Sequence, residues 1–363
     1  MRRAAVELSL IRRVCGAAPP GTPSLALGEP SHPVLPAVRA ALLEAARGEL
    51  RYGPNAGDVE VRRALAARHI GDGADERSVL LTTGAQEALA VATLGLAGAG
   101  DEVVIPELAY PAYESLALLS GARVVRAPEA DLEAGISSRT RLVVVGSPSN
   151  PTGRVVEPGM LERLARRAAR GGFHLLVDEV YAEICPPGAV RPVPTGASAL
   201  RVGSLSKIAG APGLRAGWLL GDPDQLAMLL PIHQSLVTAA PRLAQAAIAG
   251  WCATGASELR AVWAFYDRRR RLLSRRLAAV RGVHWREPEG GFFLFVDVRA
   301  AVGAATADFA FELARRGEVV VVPGEAFGPG GAGFLRLSFA GTADDLDEAA
   351  GRLARALERR RAA

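Results

Sequence analysis

Arg141-Leu142-Val143-Val144-Val145-Gly146, then the segment 158–170, then Phe173-His174-Leu175-Leu176-Val177-Asp178, form the stretch on which the fold is decided. The first and last runs are apolar without alternation, as in strands buried on both faces. The middle segment carries helical periodicity. The same alternation extends in both directions. Further strands are expected over Val79–Thr82, Glu102–Pro106, Arg123–Arg126, Arg201–Ser204 and Gly217–Leu220, with helical patterns over Ala85–Ala97 and Tyr110–Ser120. Strand–helix–strand alternation of this kind predicts an α/β domain, a mainly parallel seven-stranded sheet sandwiched by helices.

Beyond about residue 240 the pattern changes. A long helical stretch over Leu243–Val280 leads into strands near Gly291–Val298, Val319–Val322 and Phe334–Phe339, and a helix over Ala343–Arg359 follows. This predicts a smaller α+β domain. Pro33 and Pro36 mark a break before the first long helix, so the N-terminal segment is assigned to that smaller domain. The expected division is 36–245 for the large domain, with 1–35 and 246–363 for the small one. The Gly-rich patch Gly328-Pro329-Gly330-Gly331-Ala332-Gly333 precedes a strand, not a helix, and reads as a loop.

Composition narrows the class. The 363 residues are 49% hydrophobic and 22% charged, as in a soluble globular chain. No apolar run approaches the ~20 residues of a membrane span. Glu7, Arg12 and Arg13 interrupt any export-signal core after Met1-Arg2-Arg3. The basic runs Arg268–Arg271 and Arg359–Arg361 lie in helical patterns, largely off the apolar stripe of Leu259, Val262, Tyr266, Leu273, Leu277 and Val280. They read as solvated faces and not as a nucleic-acid surface. Cys15, Cys185 and Cys252 are widely separated, with no metal or disulfide spacing, which points to a reducing cytoplasm.

Of 43 basic residues, a single one is lysine, Lys207. Arginine holds its proton at any usable pH, whereas lysine can act as a nucleophile or proton carrier once its pKa falls. Lys207 sits in Val202-Gly203-Ser204-Leu205-Ser206-Lys207, a small and weakly polar setting just after a predicted strand. Ligands of open α/β sheets bind at the carboxyl ends of strands. Asp178 ends another strand there, Tyr181 follows it by one helical turn, and Asn150 lies in the turn Ser147-Pro148-Ser149-Asn150-Pro151-Thr152-Gly153. An Asp can hold a protonated ring nitrogen, a lysine can bond to a carbonyl, and serines with Arg215 can hold an anion. Pyridoxal 5'-phosphate meets all of these demands.

The chain resembles the class I/II aminotransferases, which are fold-type-I pyridoxal-phosphate enzymes. The resemblance lies in Ser147–Gly153, Asp178-Glu179-Val180-Tyr181, Ser204–Lys207 with Gly213-Leu214-Arg215-Ala216-Gly217, and Phe334-Leu335-Arg336-Leu337-Ser338. Tyr52-Gly53-Pro54 and Thr83–Leu89 extend it. It implies that Lys207 bonds to the cofactor and later moves the substrate Cα proton. Asp178 is implied as the ring-nitrogen partner, Asn150 and Tyr181 as donors to the ring oxygen, and Tyr110 as the stacked aromatic. Ser204, Ser206, Arg215 and the N–H groups of Ala85 and Gln86 are implied as the phosphate cup. Arg336 is implied to grip the substrate α-carboxylate beside Gly28. Tyr52 is implied to reach the partner's site in a homodimer. The implied activity is transfer of an amino group from an amino acid to a 2-oxo acid.

Other readings compete with this one. Ser204-Leu205-Ser206-Lys207 also fits the Ser-x-x-Lys pattern of penicillin-binding enzymes, but their Lys-Thr-Gly element requires a second lysine. The fold-type-I scaffold also supports elimination, decarboxylation, cyclisation and oxidation of amino acids, and fold alone does not choose among them. A non-catalytic cofactor-binding protein is disfavoured by the presence together of Lys207, Asp178 and Arg336.

Overall fold

A computed structural model describes residues 6–189 and 198–362; Met1-Arg2-Arg3 lies outside the described residues. The larger sheet contains β1 (Val79–Thr83), β2 (Glu102–Pro106), β3 (Arg123–Ala127), β4 (Thr140–Gly146), β5 (His174–Asp178), β6 (Ala199–Ser204) and β7 (Ala216–Leu220). Their order is β1-β7-β6-β5-β4-β2-β3. All neighbours are parallel except β7, which runs antiparallel to both β1 and β6. A parallel return needs a long crossover. The link from β6 to β7, residues 205–215, holds only a short helix and a 3-10 turn, so β7 comes back as an antiparallel neighbour.

The helices before and around this sheet are α1 (Leu10–Gly16), α2 (Pro36–Ala45), α3 (Val59–His69), α4 (Ala85–Leu96), α5 (Pro111–Ser120), α6 (Pro158–Ala169), α7 (Leu205–Ile208) and α8 (Pro223–Val237). The unbroken apolar runs are explained by two layers. Leu142 and Val144 of β4 pack with residues of α4, α5 and α8, whereas Val143 and Val145 face Leu161 and Leu164 of α6. Helix α6 opens on Pro158 and is capped by the Glu157 carboxylate, which accepts from the N–H groups of Gly159 and Met160.

The expected single helix over Leu243–Val280 is instead two, α9 (Arg242–Cys252) and α10 (Ala256–Ala278). The break falls at Thr254-Gly255, where the Gly255 N–H donates to Glu258 and starts the second helix afresh. The apolar stripe of α10 buries Val262, Tyr266, Leu273 and Leu277. Several of its arginines are ion-paired or stacked: Arg270 and Arg271 on Asp267, Arg276 on Asp347, Arg269 over Phe265.

A second, antiparallel sheet contains β8 (His284–Trp285), β9 (Phe293–Asp297), β10 (Val322–Pro323) and β11 (Phe334–Ser338), ordered β10-β11-β9-β8. The strand expected over Val319–Val322 is reduced to β10 and a bridge between Val320 and Ser24. The N-terminal segment lies on this sheet: the Leu25 N–H donates to Val320, and Ser338 donates to Leu25. Helices α11 (Arg299–Val302), α12 (Thr306–Arg315) and α13 (Ala343–Ala362) complete the chain. The Gly-rich patch forms a 3-10 turn, Pro329–Gly331, ahead of β11.

Candidate active site

The carboxyl ends of β4, β5 and β6, the start of α4, the N-terminal segment and β11 enclose a cavity of about 700 Å³. Ala85, Gln86, Tyr110, Asn150, Asp178, Tyr181, Ser204, Ser206, Lys207, Arg215, Gly28 and Arg336 all line it. Tyr52 does not: it is 91% exposed and lies away from this cavity.

Asp178 ends β5 and is buried. Its Oδ2 accepts from the Tyr113 hydroxyl at 2.8 Å and its Oδ1 from the Val180 N–H at 3.2 Å. Burial raises its pKa to about 6 against the lowering effect of these hydrogen bonds. No cation pairs with it among the described residues. Tyr113 was not among the expected site residues. Its signal was local, a second tyrosine one turn after Tyr110 in Tyr110-Pro111-Ala112-Tyr113. The two rings meet edge to face at 5.7 Å. Tyr181 is buried against Phe292 and Phe293, and burial pushes its phenol pKa up.

Lys207 lies on the single turn α7, which Ser204 caps by accepting from the Ser206 N–H at 2.9 Å. The Lys207 Nζ donates to the Gly28 carbonyl at 2.6 Å. Burial, followed by the nearby Arg336 charge, lowers its pKa to about 8. Gly28 has to be glycine for packing reasons: a Cβ there would lie 2.9 Å from both Phe292 and Phe293.

The first turn of α4 has Gly84 as its N-cap at φ 77°, and no side chain caps it. The N–H groups of Ala85 and Gln86 are therefore left for an anion, that of Glu87 being taken by the Gly84 carbonyl. The Arg215 guanidinium lies across this turn, 2.6 Å from where a Gly84 Cβ would stand. The backbone of β7 passes so close that a Cβ on Gly217 would lie 2.7 Å from the Ala85 nitrogen. Ser204 and Ser206 hydroxyls, 2.7 Å apart, face the same cavity.

Arg336 is the most unusual group. The sequence pattern predicts a half-buried strand with one polar face, yet β11 is buried on both faces and Arg336 is 3% exposed. The cause is its packing over Phe293 and Phe327, at 4.3 and 5.1 Å. It donates to Asn150 Oδ1 at 3.1 Å and to the Ala26 carbonyl, while its Nε has no partner. No carboxylate pairs with it among the described residues, and burial lowers its pKa to about 10. A buried guanidinium with an idle N–H is suited to a planar anion.

The sequence profile of the family described as aminotransferase class I and II matches residues 23–353. The chain belongs to this family. It is 31% identical to the putative aminotransferase YugH of Bacillus subtilis, over 93% of this chain and 92% of that protein. It is 33% identical to the arginine–pyruvate transaminase AruH of Pseudomonas aeruginosa, over 91% and 88%. Among solved structures, N-succinyldiaminopimelate aminotransferase from Mycobacterium tuberculosis superposes with a TM-score of 0.89 at 27% identity, covering 97% and 98% of the two chains. Aspartate aminotransferase from Thermus thermophilus with maleate gives 0.86 at 28%, covering 97% of each chain.

This aminotransferase is therefore a fold-type-I, pyridoxal-phosphate-dependent enzyme that moves an amino group between an amino acid and a 2-oxo acid. Its own cavity fits that cofactor. An uncapped helix start beside Arg215 suits a phosphate, a buried carboxylate with no cation paired to it among the described residues suits a protonated ring nitrogen, and the lone lysine, with a lowered pKa, lines the same cavity.

Proposed function

We propose that the lining residues divide the aminotransferase reaction among themselves as follows. The first-turn N–H groups of Ala85 and Gln86, with Ser204, Ser206 and Arg215, hold the cofactor's phosphate. Asp178 keeps the ring nitrogen protonated, Asn150 and Tyr181 donate to the ring oxygen, and Tyr110 covers one ring face. When bound, pyridoxal phosphate supplies an aldehyde that accepts the amino group and a ring that withdraws electrons. Lys207 would be the residue that holds the cofactor through its aldehyde, and its Nζ, when free, would take the proton from the substrate Cα and give it back at another carbon. Arg336 grips the α-carboxylate with its idle N–H, beside Gly28, and so orients the Cα–H bond toward Lys207.

The observation that carries this reading is the buried Arg336, held by Asn150 and Ala26 with an unpartnered Nε and no carboxylate on it among the described residues. Three further elements belong to the proposal. The enzyme is a homodimer in which Tyr52, too exposed to serve its own cavity, reaches the partner's site. Residues 36–245 form the large domain, and 1–35 with 246–363 the small one. The protein acts in the cytoplasm, in keeping with cysteines that form no disulfide.

The test is a screen of amino acids against the cofactor-loaded protein without an oxo acid. The aldehyde absorbance should disappear with the correct amino acid and return when a 2-oxo acid is added. Release of ammonia or carbon dioxide in the first step would replace this reading with an elimination or a decarboxylation.

A further inference from the structure

Behind the first turn of α4 lies a buried polar network that the proposed mechanism does not use. Glu87 stands in that turn, directly after Ala85 and Gln86. It is buried, and its Oε2 accepts from the Thr83 N–H. Its Oε1 faces His233 Nδ1 of α8 at 2.6 Å, and His233 is wholly buried. The other ring nitrogen, Nε2, faces the Asn55 carbonyl at 2.8 Å. Asn55 in turn donates its side-chain N–H to the Thr238 carbonyl at 2.8 Å. Both imidazole nitrogens thus face oxygen acceptors. A proton is needed in each contact, so the Glu87–His233 pair carries one more proton than a carboxylate beside a neutral ring, and its net charge is zero.

The position gives this neutrality a purpose. A bare carboxylate in the first turn would stabilise the helix but oppose a second anion arriving at the same N–H groups. Burial would leave that repulsion poorly screened. The imidazole cancels it. The same ring also ties α8 to the segment Tyr52-Gly53-Pro54-Asn55, whose exposed tyrosine is proposed to serve the partner's site. We propose that His233 is a positioning residue of the phosphate site, which neutralises Glu87 beneath the first turn of α4 and fixes the 52–55 segment against it. This rests on the reading that the start of α4 takes the cofactor's phosphate.

The experiment titrates the cofactor-free full chain with pyridoxal phosphate and, separately, with pyridoxal, which lacks the phosphate. Thermal unfolding is followed in parallel. His233→Gln should bind pyridoxal phosphate at least about tenfold more weakly and pyridoxal within about twofold of wild type, the scale of an uncompensated charge at a helix end. Adding Glu87→Gln to His233→Gln should restore most of the phosphate-dependent affinity. Equal weakening for both ligands, or no recovery in the double variant, overturns the proposal in favour of a packing role. Glu87→Gln alone covers the case in which His233→Gln does not fold. It should keep affinity within about threefold of wild type, and a loss beyond about tenfold overturns the charge argument. If the wild type itself binds pyridoxal as tightly as pyridoxal phosphate, the reading of α4 as the phosphate site fails, and this inference fails with it.

Discussion

The Tyr113 hydroxyl and the Asp178 carboxylate are joined by a 2.8 Å hydrogen bond, although 65 residues separate them in the chain. The contact joins α5 to the end of β5. It leaves Asp178 with one oxygen held by a phenol and the other by a backbone N–H. Tyr113→Phe removes a donor to a buried charged group, a loss of ~1.5–3 kcal/mol. Asp178 then titrates higher and holds the ring nitrogen less firmly. The expected result is a fall in kcat/KM of about tenfold or more, with a melting temperature lowered by a few degrees and the protein still folded at the assay temperature. Asp178→Asn should cost more, and the double variant should cost no more than Asp178→Asn alone. Independent, additive losses would show that Tyr113 does not act through Asp178.

Lys207 supplies a pH test. Its pKa is lowered to about 8, chiefly by burial, so the neutral and reactive amine is more abundant near neutrality than for an ordinary lysine. With an acetylating reagent and the cofactor-free protein, the rate constant at Lys207 should rise with pH up to about 8 and then level off. An unperturbed amine would keep rising toward about 10.4. Because it is the only lysine, mass spectrometry of one peptide reads the result. Lys207→Arg keeps the charge but not the chemistry, and should lower turnover by ~10²–10⁴ or more.

Arg336→Lys tests the carboxylate. A lysine cannot reproduce the planar fork that reaches Asn150 and Ala26 together. The expected cost is ~2–4 kcal/mol in kcat/KM for amino acids. Amines without the carboxylate should be affected far less. Equal losses for both substrate types would falsify the assignment and make Arg336 a support of the fold.

Gly203 tests the packing beneath the site. It pairs with Trp218 across β6 and β7, and a Cβ there would run into the Trp218 indole. Trp218 is itself buried and stacked on Trp251 at 5.1 Å, so it has little room to yield. Gly203→Ala should destabilise the protein by ~1–3 kcal/mol through overpacking. Denaturant unfolding followed by tryptophan fluorescence checks it. A stability within error of wild type would mean that the indole moves freely.

Much of this architecture was legible in the chain because it rests on local signals. The runs at Val143 and Leu175 read as doubly buried strands, and Asp178, Asn150 and Lys207 were found by standing where such strands end. What escaped depends on contacts across long separations. Tyr113 reads as an ordinary helix residue until α5 is laid beside β5. His233 sits in an apolar helical pattern, 146 residues from Glu87, with nothing nearby to reveal its partner. The break at Gly255 was hidden because apolar periodicity continues on both sides of it. The burial of Arg336 could not be read from alternation, since Phe293 and Phe327 cover it from other parts of the chain.

The two sheets give the cavity a mechanical division of labour. Asp178, Lys207 and Arg215 project from one sheet and its connections, whereas Arg336 projects from the other, and the 3.1 Å bond from Arg336 to Asn150 spans the seam. On the proposed assignment Asn150 serves both sides of that seam, accepting from the arginine that grips the substrate and donating to the cofactor's ring oxygen. Asn150→Ala should therefore slacken the hold on the amino acid and shift the cofactor's absorbance together. A change of specificity that shifts β11 is then felt at the ring through a single amide.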